Sequence, residues 1–269
     1  MMDYLAHVIL GLVEGITEFL PISSTGHLIL TRALLGLGGE SLDLELIVIQ
    51  GAAILAVCFE YRVRLWATAT AVHRDVVAQR FVLNLFVAFL PLAILGLAFE
   101  HWIERVLFAP IPVAIALVVG GVLILWAERR AHVARVTQVE ALQPSDAFKV
   151  GLFQALALMP GTSRSAATIL GGLFSGLDRK TATEFSFFVA IPTLLAATFY
   201  KLWKARTLLS GSELDALLIG SVVAFASALL AIRLLLRFVS RHSFAVFAWY
   251  RIVFGGAILL TWQLGWVAW

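Results

Sequence analysis

The sequence predicts an all-α integral membrane protein with about six transmembrane helices and two broken re-entrant helical hairpins, arranged as an inverted-topology repeat. The first reason is composition, since 61% of the 269 residues are hydrophobic and only 14% are charged, unlike a water-soluble domain. The other reasons are apolar runs of spanning length and a weak similarity between the two halves of the chain. Residues 1–269 are therefore expected to form a single membrane domain.

Six apolar runs approach the roughly 20 residues that a helix needs to cross the hydrocarbon layer. Tryptophans near several of their ends are typical of side chains anchored at the membrane interface. These runs, which are predicted to be transmembrane helices, lie at about 44–59, 81–99, 111–127, 184–200, 215–232 and 250–268.

Two further apolar segments, about 5–36 and 146–176, are interrupted near their centres by Pro, Gly, Ser and Thr. This pattern predicts broken or re-entrant helices. Irregular backbone at membrane depth is tolerated only where protein or a water-filled cavity surrounds it. The two hairpins are therefore predicted to line the functional site.

The two halves share one layout: a broken hairpin, a span that begins near a glutamate, and two more spans. Repeat 1 covers about 1–130 and repeat 2 about 140–269, and an offset of 139 or 140 aligns Pro21 with Pro160 and Ser24 with Ser163. Three crossings per copy turn the second copy upside down, and sites in such proteins form between the copies at the midplane.

The distribution of basic residues predicts the orientation. One set of predicted loops (60–80, 128–149, 176–183 and 233–241) carries thirteen Lys and Arg, whereas the opposite set carries five. The positive-inside rule places the first set in the cytoplasm, so the first hairpin enters from outside and the second from inside. Because these charges lie in loops and form no stripe, nucleic acid is not an expected partner.

Charged side chains inside the hairpins indicate function. Arg164 lies in the second hairpin, where a charge at mid-bilayer depth costs roughly 2.5 to 3.5 kcal/mol, and it needs an anionic partner. In the first hairpin, Glu14 and Glu18 are four residues apart and share one helical face. Such a pair either shares a proton or binds a cation, and oxygen ligands favour Mg²⁺ or Ca²⁺. An exposed pair on an interfacial helix is the alternative.

Both hairpins contain a helix stop followed by hydroxyl residues. After Pro21 and after Pro160 a new half-helix can begin, and its free N–H groups form an anion site. Two such N-termini, with Arg164 on one side and a carboxylate-bound cation on the other, suit a diphosphate. His27 follows Ser24 by three residues and can serve as its proton-transfer or nucleophilic partner. Helix capping and a buried structural histidine are the alternatives.

The segments 14–27 and 160–168 together resemble the two signature motifs of the bacterial undecaprenyl-diphosphate phosphatase family associated with bacitracin resistance. The resemblance covers essentially the whole chain. It implies an integral membrane enzyme that hydrolyses undecaprenyl diphosphate to undecaprenyl phosphate and inorganic phosphate. The product is the lipid carrier for peptidoglycan and other envelope polymers. A multi-pass protein of the bacterial plasma (inner) membrane is expected, with its active site open to the extracytoplasmic side.

The resemblance also assigns roles. Glu14 and Glu18 would serve metal binding or acid–base chemistry with Mg²⁺ or Ca²⁺ as the cofactor. Ser24 and His27 would be the nucleophile and its helper, in either assignment, and Arg164 the phosphate clamp. Direct attack by metal-activated water is the third alternative for the nucleophile. Hydroxyl contacts to the substrate would come from Ser23, Thr25, Ser163, Ser165 and Thr168.

The expected partners are the lipid substrate and the bilayer, with a homodimer as an open alternative to the monomer. A polyprenyl-phosphate flippase or another transporter is the rival interpretation, because inverted repeats with broken helices are a transporter architecture. An arginine, hydroxyls, a histidine and a carboxylate pair together are more chemistry than binding alone requires, which favours the enzyme.

Overall fold

The fold is all-helical in the residues that the computed structural model describes, which are 2–37, 40–107, 109–130, 134–204 and 214–266. Within these ranges there is no β-strand beyond one isolated bridge between Val136 and Leu177. The helices are α1 (Met2–Thr17), α2 (Ser24–Leu35), α3 (Glu40–Glu60), α4 (Arg62–Ala71), α5 (Val76–Leu107), α6 (Pro110–Arg129), α7 (Pro144–Ala155), α8 (Arg164–Phe174), α9 (Arg179–Lys204), α10 (Leu214–Val239) and α11 (Ala245–Gln263).

The predicted spans are confirmed. Each of α5, α6, α9, α10 and α11 contains a stretch long and apolar enough to cross a membrane. Helix α3 gives a sixth span if it is counted with α4, from which it is bent by 75°. The chain is therefore a multi-pass membrane protein.

Helix α4 corrects the sequence analysis, which assigned residues 60–80 to a loop. It starts directly after Tyr61 and has no buried residue. With ten residues and two arginines it is too short and too polar to register as an apolar run. It leaves the direction of α3 at the 75° bend and keeps all its side chains at least partly exposed.

The two predicted hairpins are also present. Helices α1 and α2 form the first hairpin, and α7 and α8 form the second. Helix α1 packs parallel to α10, because Gly11 lies against Gly220 and Gly15 lies against Ala224 and Ala228. These small residues allow the two backbones to approach closely, as is common between membrane helices.

The second hairpin enters from the other end of the bundle. Helix α7 packs parallel to α5, since Asn84 Nδ2 donates to Leu142 O at 3.0 Å and a Cβ at Gly151 would meet the Ala88 carbonyl oxygen. Near the end of α10, Arg233 pairs with Glu60, which lies one short helix before α5 begins. Helix α10 therefore ends at the end of the bundle where α5 begins, so the two helices run in opposite directions. Because α1 runs parallel to α10 and α7 runs parallel to α5, the two hairpins enter from opposite ends and point toward each other. This is the arrangement that the inverted repeat requires; the repeat itself stays a prediction.

Ion pairs gather at the end of the bundle predicted to be cytoplasmic. They join helix ends and connectors, where partial exposure to solvent keeps each contribution small. These pairs are Arg233 with Glu60, Arg179 with Glu128, Arg135 with Asp146, and Arg64 with Glu140.

Helix α9 packs against the place where the two hairpins meet. Its Phe185, Phe187 and Phe188 are fully buried. Phe19, which follows α1, packs edge-on against Phe187 with ring centroids 5.6 Å apart. This packing fixes the end of the first hairpin beside α9.

Candidate active site

Both hairpins turn at a serine with a strained backbone. Ser23 has φ 74° and Ser163 has φ 70°, and each is the N-cap residue of the second helix of its hairpin. They are the only non-glycine residues with positive φ in the described part of the chain, a conformation that persists only where the surroundings impose it.

The matched strain makes Ser23, and not Ser24, the backbone counterpart of Ser163. The sequence alignment of Ser24 with Ser163 was therefore off by one residue. In the corrected register, Ser24 and Arg164 are equivalent, and they are the first residues of α2 and α8. Two of the predicted catalytic side chains thus begin the two half-helices that meet.

The Glu18 carboxylate joins these two residues. Ser24 Oγ donates to Glu18 Oε2 at 2.6 Å, and Arg164 Nη2 donates to Glu18 Oε1 at 3.2 Å. All three side chains are buried or nearly so. The sequence predicts a diphosphate as the anionic partner of Arg164, whereas in this structure Glu18 takes that place. Glu18 thereby links a hydroxyl of the first hairpin to the guanidinium of the second.

Helix α9 holds the other side of Arg164. Arg164 Nη1 donates to the Ser186 carbonyl oxygen at 3.1 Å, and Thr168 Oγ1 donates to Ser186 Oγ at 2.6 Å. Arg164 Nε is buried and has no hydrogen-bond partner among the described atoms. The guanidinium is therefore oriented by two elements and keeps one donor available.

The remaining hydroxyls predicted to touch substrate lie at the same junction. Ser165 Oγ donates to the Leu20 carbonyl oxygen at 2.8 Å, which is a second direct link between the hairpins. Ser163 Oγ accepts from the Ala166 N–H and caps α8. Ser23 makes no such capping bond, and half-buried Thr25 lies in the first turn of α2. The start of α2 therefore offers N–H groups to an anion.

Glu14 is the least satisfied polar group of the site. Its side chain is 1% exposed, and both carboxylate oxygens lack a hydrogen-bond partner among the described residues. An isolated buried carboxylate is strongly unfavourable, so it calls for a proton or a cation. Gln154 lies 140 residues after Glu14, at the offset that relates the two repeats, and it is neutral. Its polar atoms are satisfied: Nε2 donates to Ala88 O at 3.0 Å and Oε1 accepts from Thr193 at 3.3 Å.

A divalent cation fits this pair on chemical grounds. Within the ranges described, no three His, Cys, Asp or Glu side chains form a metal-binding group, so the protein offers the carboxylates of Glu14 and Glu18. Mg²⁺ is commonly bound by one or two carboxylates, with water and substrate phosphate completing its shell. The orphaned oxygens of Glu14 suit that role.

His27 is placed differently from the prediction. Its Nδ1 lies 2.7 Å from the Ser23 carbonyl oxygen, and its Nε2 lies 2.6 Å from the Tyr250 hydroxyl. Because a carbonyl only accepts, Nδ1 carries the proton. The ring also stacks on Phe254 with centroids 4.3 Å apart. The structure brings His27 near the site but pairs Ser24 with Glu18 instead.

Three residues near the site escaped the sequence analysis: Ser186, Tyr250 and Arg251. A signal existed for Arg251. Eighteen of the 20 Lys and Arg (thirteen and five) lie in predicted loops, and the two that remain are Arg164 and Arg251. Ser186 and Tyr250 carry no comparable signal, because a serine and a tyrosine in an apolar helix are common.

Comparison with known proteins finds relatives that match nearly the full length of the chain. The family model described as bacitracin resistance protein BacA matches residues 7–257, which include both hairpins. The chain is 58% identical over 262 residues to the undecaprenyl-diphosphatase of Dechloromonas aromatica, covering 97% of this chain and 96% of that protein. Identity to the undecaprenyl-diphosphatase of Nitrosospira multiformis is 60% over 262 residues, with the same coverage. For that of Nitrosomonas eutropha it is 54% over 277 residues, covering 100% and 99%.

Proposed function

The chain belongs to the family of bacitracin resistance proteins BacA, and on that premise we propose that it hydrolyses undecaprenyl diphosphate to undecaprenyl phosphate and inorganic phosphate. Relatives named undecaprenyl-diphosphatase match this chain over nearly their full length. The reaction recycles the lipid carrier of envelope polymers and confers bacitracin resistance. The observation that supports the chemistry most is Glu18, whose carboxylate binds the Ser24 hydroxyl and the Arg164 guanidinium at once.

The substrate is an amphiphile, and the protein offers separate surroundings for its apolar tail and its charged head group. The polyprenyl tail stays in the apolar bilayer, while the diphosphate enters between the hairpins. Arg164 then exchanges Glu18 for nonbridging phosphate oxygens, beginning with its unbonded Nε donor. A planar guanidinium matches phosphate geometry in a way that an ammonium does not.

Ser24 is the nucleophile in this proposal. As Ser24 Oγ bonds to the terminal phosphorus, its proton passes to Glu18 Oε2, from which it is 2.6 Å away. The bond from phosphorus to the bridging oxygen breaks, and undecaprenyl phosphate leaves with that oxygen. Water then attacks the phosphoserine, Glu18 assists the proton transfers, and inorganic phosphate is released.

Glu14 and Glu18 would hold the divalent cation. When bound, Mg²⁺ or Ca²⁺ neutralises part of the charge of the diphosphate. Glu14 is the better ligand candidate, since neither of its oxygens has another partner among the described residues. His27 fixes the Ser23 carbonyl oxygen and with it the turn that presents Ser24.

The proposal sets the enzyme in the bacterial plasma membrane, with the site open to the extracytoplasmic side. Support comes from the charge distribution, because the arginine-rich end of the bundle is the cytoplasmic one by the positive-inside rule. The first hairpin, which carries Glu18 and Ser24, enters from the opposite end. A homodimer stays a prediction.

In detergent, the purified protein should release inorganic phosphate from undecaprenyl diphosphate in the presence of Mg²⁺ or Ca²⁺. Detergent micelles provide no second compartment, so turnover there demonstrates an enzyme. Binding of the lipid without phosphate release would instead favour the flippase interpretation.

The same assay tests the cation. Chelation should stop turnover, and Glu14→Gln should raise the cation concentration needed for half-maximal rate, because one of two carboxylate ligands is lost. Wild-type cation dependence in Glu14→Gln would contradict the assignment of Glu14.

A further inference from the structure

Arg251 lies at the junction of the hairpins, although neither signature motif contains it. It is in α11, its side chain is 0% exposed, and it is the largest fully buried side chain in the described residues. No described carboxylate forms an ion pair with it. Burying a guanidinium without an ionic partner costs free energy, so hydrogen bonds must compensate it and a role beyond filling space is indicated.

The hydrogen bonds of Arg251 all go to carbonyl oxygens. Two lie in α6: Nε donates to Leu117 O at 3.2 Å and Nη2 donates to Ala116 O at 3.1 Å. The other two lie in the turns of the hairpins: Nη1 donates to Pro21 O at 3.2 Å and Nη2 donates to Gly161 O at 3.0 Å. One side chain thus binds both turns to one span.

The two turn carbonyls occupy equivalent places. Pro21 lies two residues before Ser23, and Gly161 lies two residues before Ser163, so Arg251 grips the same point of each turn. Each turn is followed at once by the half-helix that begins with Ser24 or Arg164. The distance between these two catalytic groups therefore depends on the bonds of Arg251.

The surrounding chain leaves room for this arrangement. A Cβ at Gly120 of α6 would lie 2.2 Å from Arg251 Nη2, so only glycine admits the guanidinium at that position. Gly161 has φ 93°, and a Cβ there would lie 2.4 Å from the Val113 carbonyl oxygen. Two glycines, one in α6 and one in the turn, thus accommodate one arginine and the turn that it binds.

We propose that Arg251 is a positioning residue of the phosphatase site, which aligns the two hairpins so that Ser24 and Glu18 on one face Arg164 on the other. The role rests on the proposed function, and it adds a residue from a third element to the site. Catalysis that depends on alignment loses about 100-fold when reacting groups move by roughly 1 Å. Substrate binding, which the bilayer and several donors share, depends on it less.

The test uses two variants that disturb the same bonds in different ways. Arg251→Lys keeps the charge but reaches fewer carbonyls, because an ammonium is a compact donor without a planar fork. Gly120→Ala keeps the arginine at position 251 but displaces its Nη2, which would lie 2.2 Å from the new Cβ. Alanine favours the helix more than glycine does, so the substitution itself does not weaken α6. Gly256→Ala in α11 is the matched control, since a Cβ there meets nothing within 4 Å.

The expected result is a kcat lowered by about 10- to 100-fold in Arg251→Lys and in Gly120→Ala, with KM changed less than about threefold. Rates are taken per folded molecule, counted from the monodisperse fraction in gel filtration, so a loss of stability alone does not move them. Gly256→Ala should match the wild type. Wild-type kcat in either test variant, or a raised KM at unchanged kcat, would overturn the proposal. If wild-type protein released no phosphate, the proposed function would fail instead.

Discussion

Replacing Glu18 with Gln should lower kcat by about 10²- to 10⁴-fold, the range that general base catalysis contributes. Glutamine keeps the size of the side chain and can still accept a hydrogen bond from Ser24. It cannot take the proton of Ser24, nor balance the charge of Arg164. The measurement is phosphate release by purified Glu18→Gln protein in detergent at saturating substrate.

Glu128→Gln is the matched control for this substitution. Glu128 is also a buried carboxylate paired with an arginine, since its Oε2 lies 2.5 Å from Arg179 Nη2, but it lies at the end of the bundle predicted to be cytoplasmic. Removing its charge should reduce stability and leave kcat per folded molecule unchanged. A kcat for Glu18→Gln within about threefold of the wild type would show that Glu18 is not the base.

Arg164→Lys should lower kcat/KM by about 10²- to 10³-fold, comparable to the loss of one preorganised donor at a developing charge. The variant keeps the positive charge, so any loss reports the geometry of the guanidinium. Lysine cannot bind Glu18, Ser186 and phosphate oxygens in one plane. Steady-state kinetics in detergent, at fixed cation concentration, measures the effect.

Arg179→Lys controls for the general effect of exchanging these residue types. Arg179 also binds through more than one guanidinium nitrogen, here to both oxygens of Glu128, and it lies outside the site. Its replacement should leave kcat/KM unchanged. Wild-type kcat/KM in Arg164→Lys would remove Arg164 from the phosphate-binding role.

The spans and hairpins could be predicted because membrane folding follows hydropathy closely. The run at 111–127 is α6 nearly to its ends, and Pro and Gly within an otherwise apolar segment predicted the break between α7 and α8. Helix α4 was missed because a short polar helix on a bundle surface has no such signature.

The partners inside the site could not be predicted in the same way. Ser24 and His27 are three residues apart on a helix, which suggested that they interact. The histidine ring instead turns back to Ser23 and meets Tyr250, which is 223 residues further along the chain. Side-chain direction is decided by tertiary contacts of this kind, and a single sequence does not contain them. Arg251 was detectable by its charge, but its four carbonyl partners were not.

Ser24, activated by Glu18 and opposed by Arg164, is expected to receive the phosphoryl group. The most direct test is to quench the enzyme during turnover of substrate labelled in its terminal phosphate, and to locate the label by mass spectrometry. We expect acid-stable phosphoserine at position 24, and no such label in Ser24→Ala. Phosphohistidine at His27, or no phosphoenzyme at all, would contradict it.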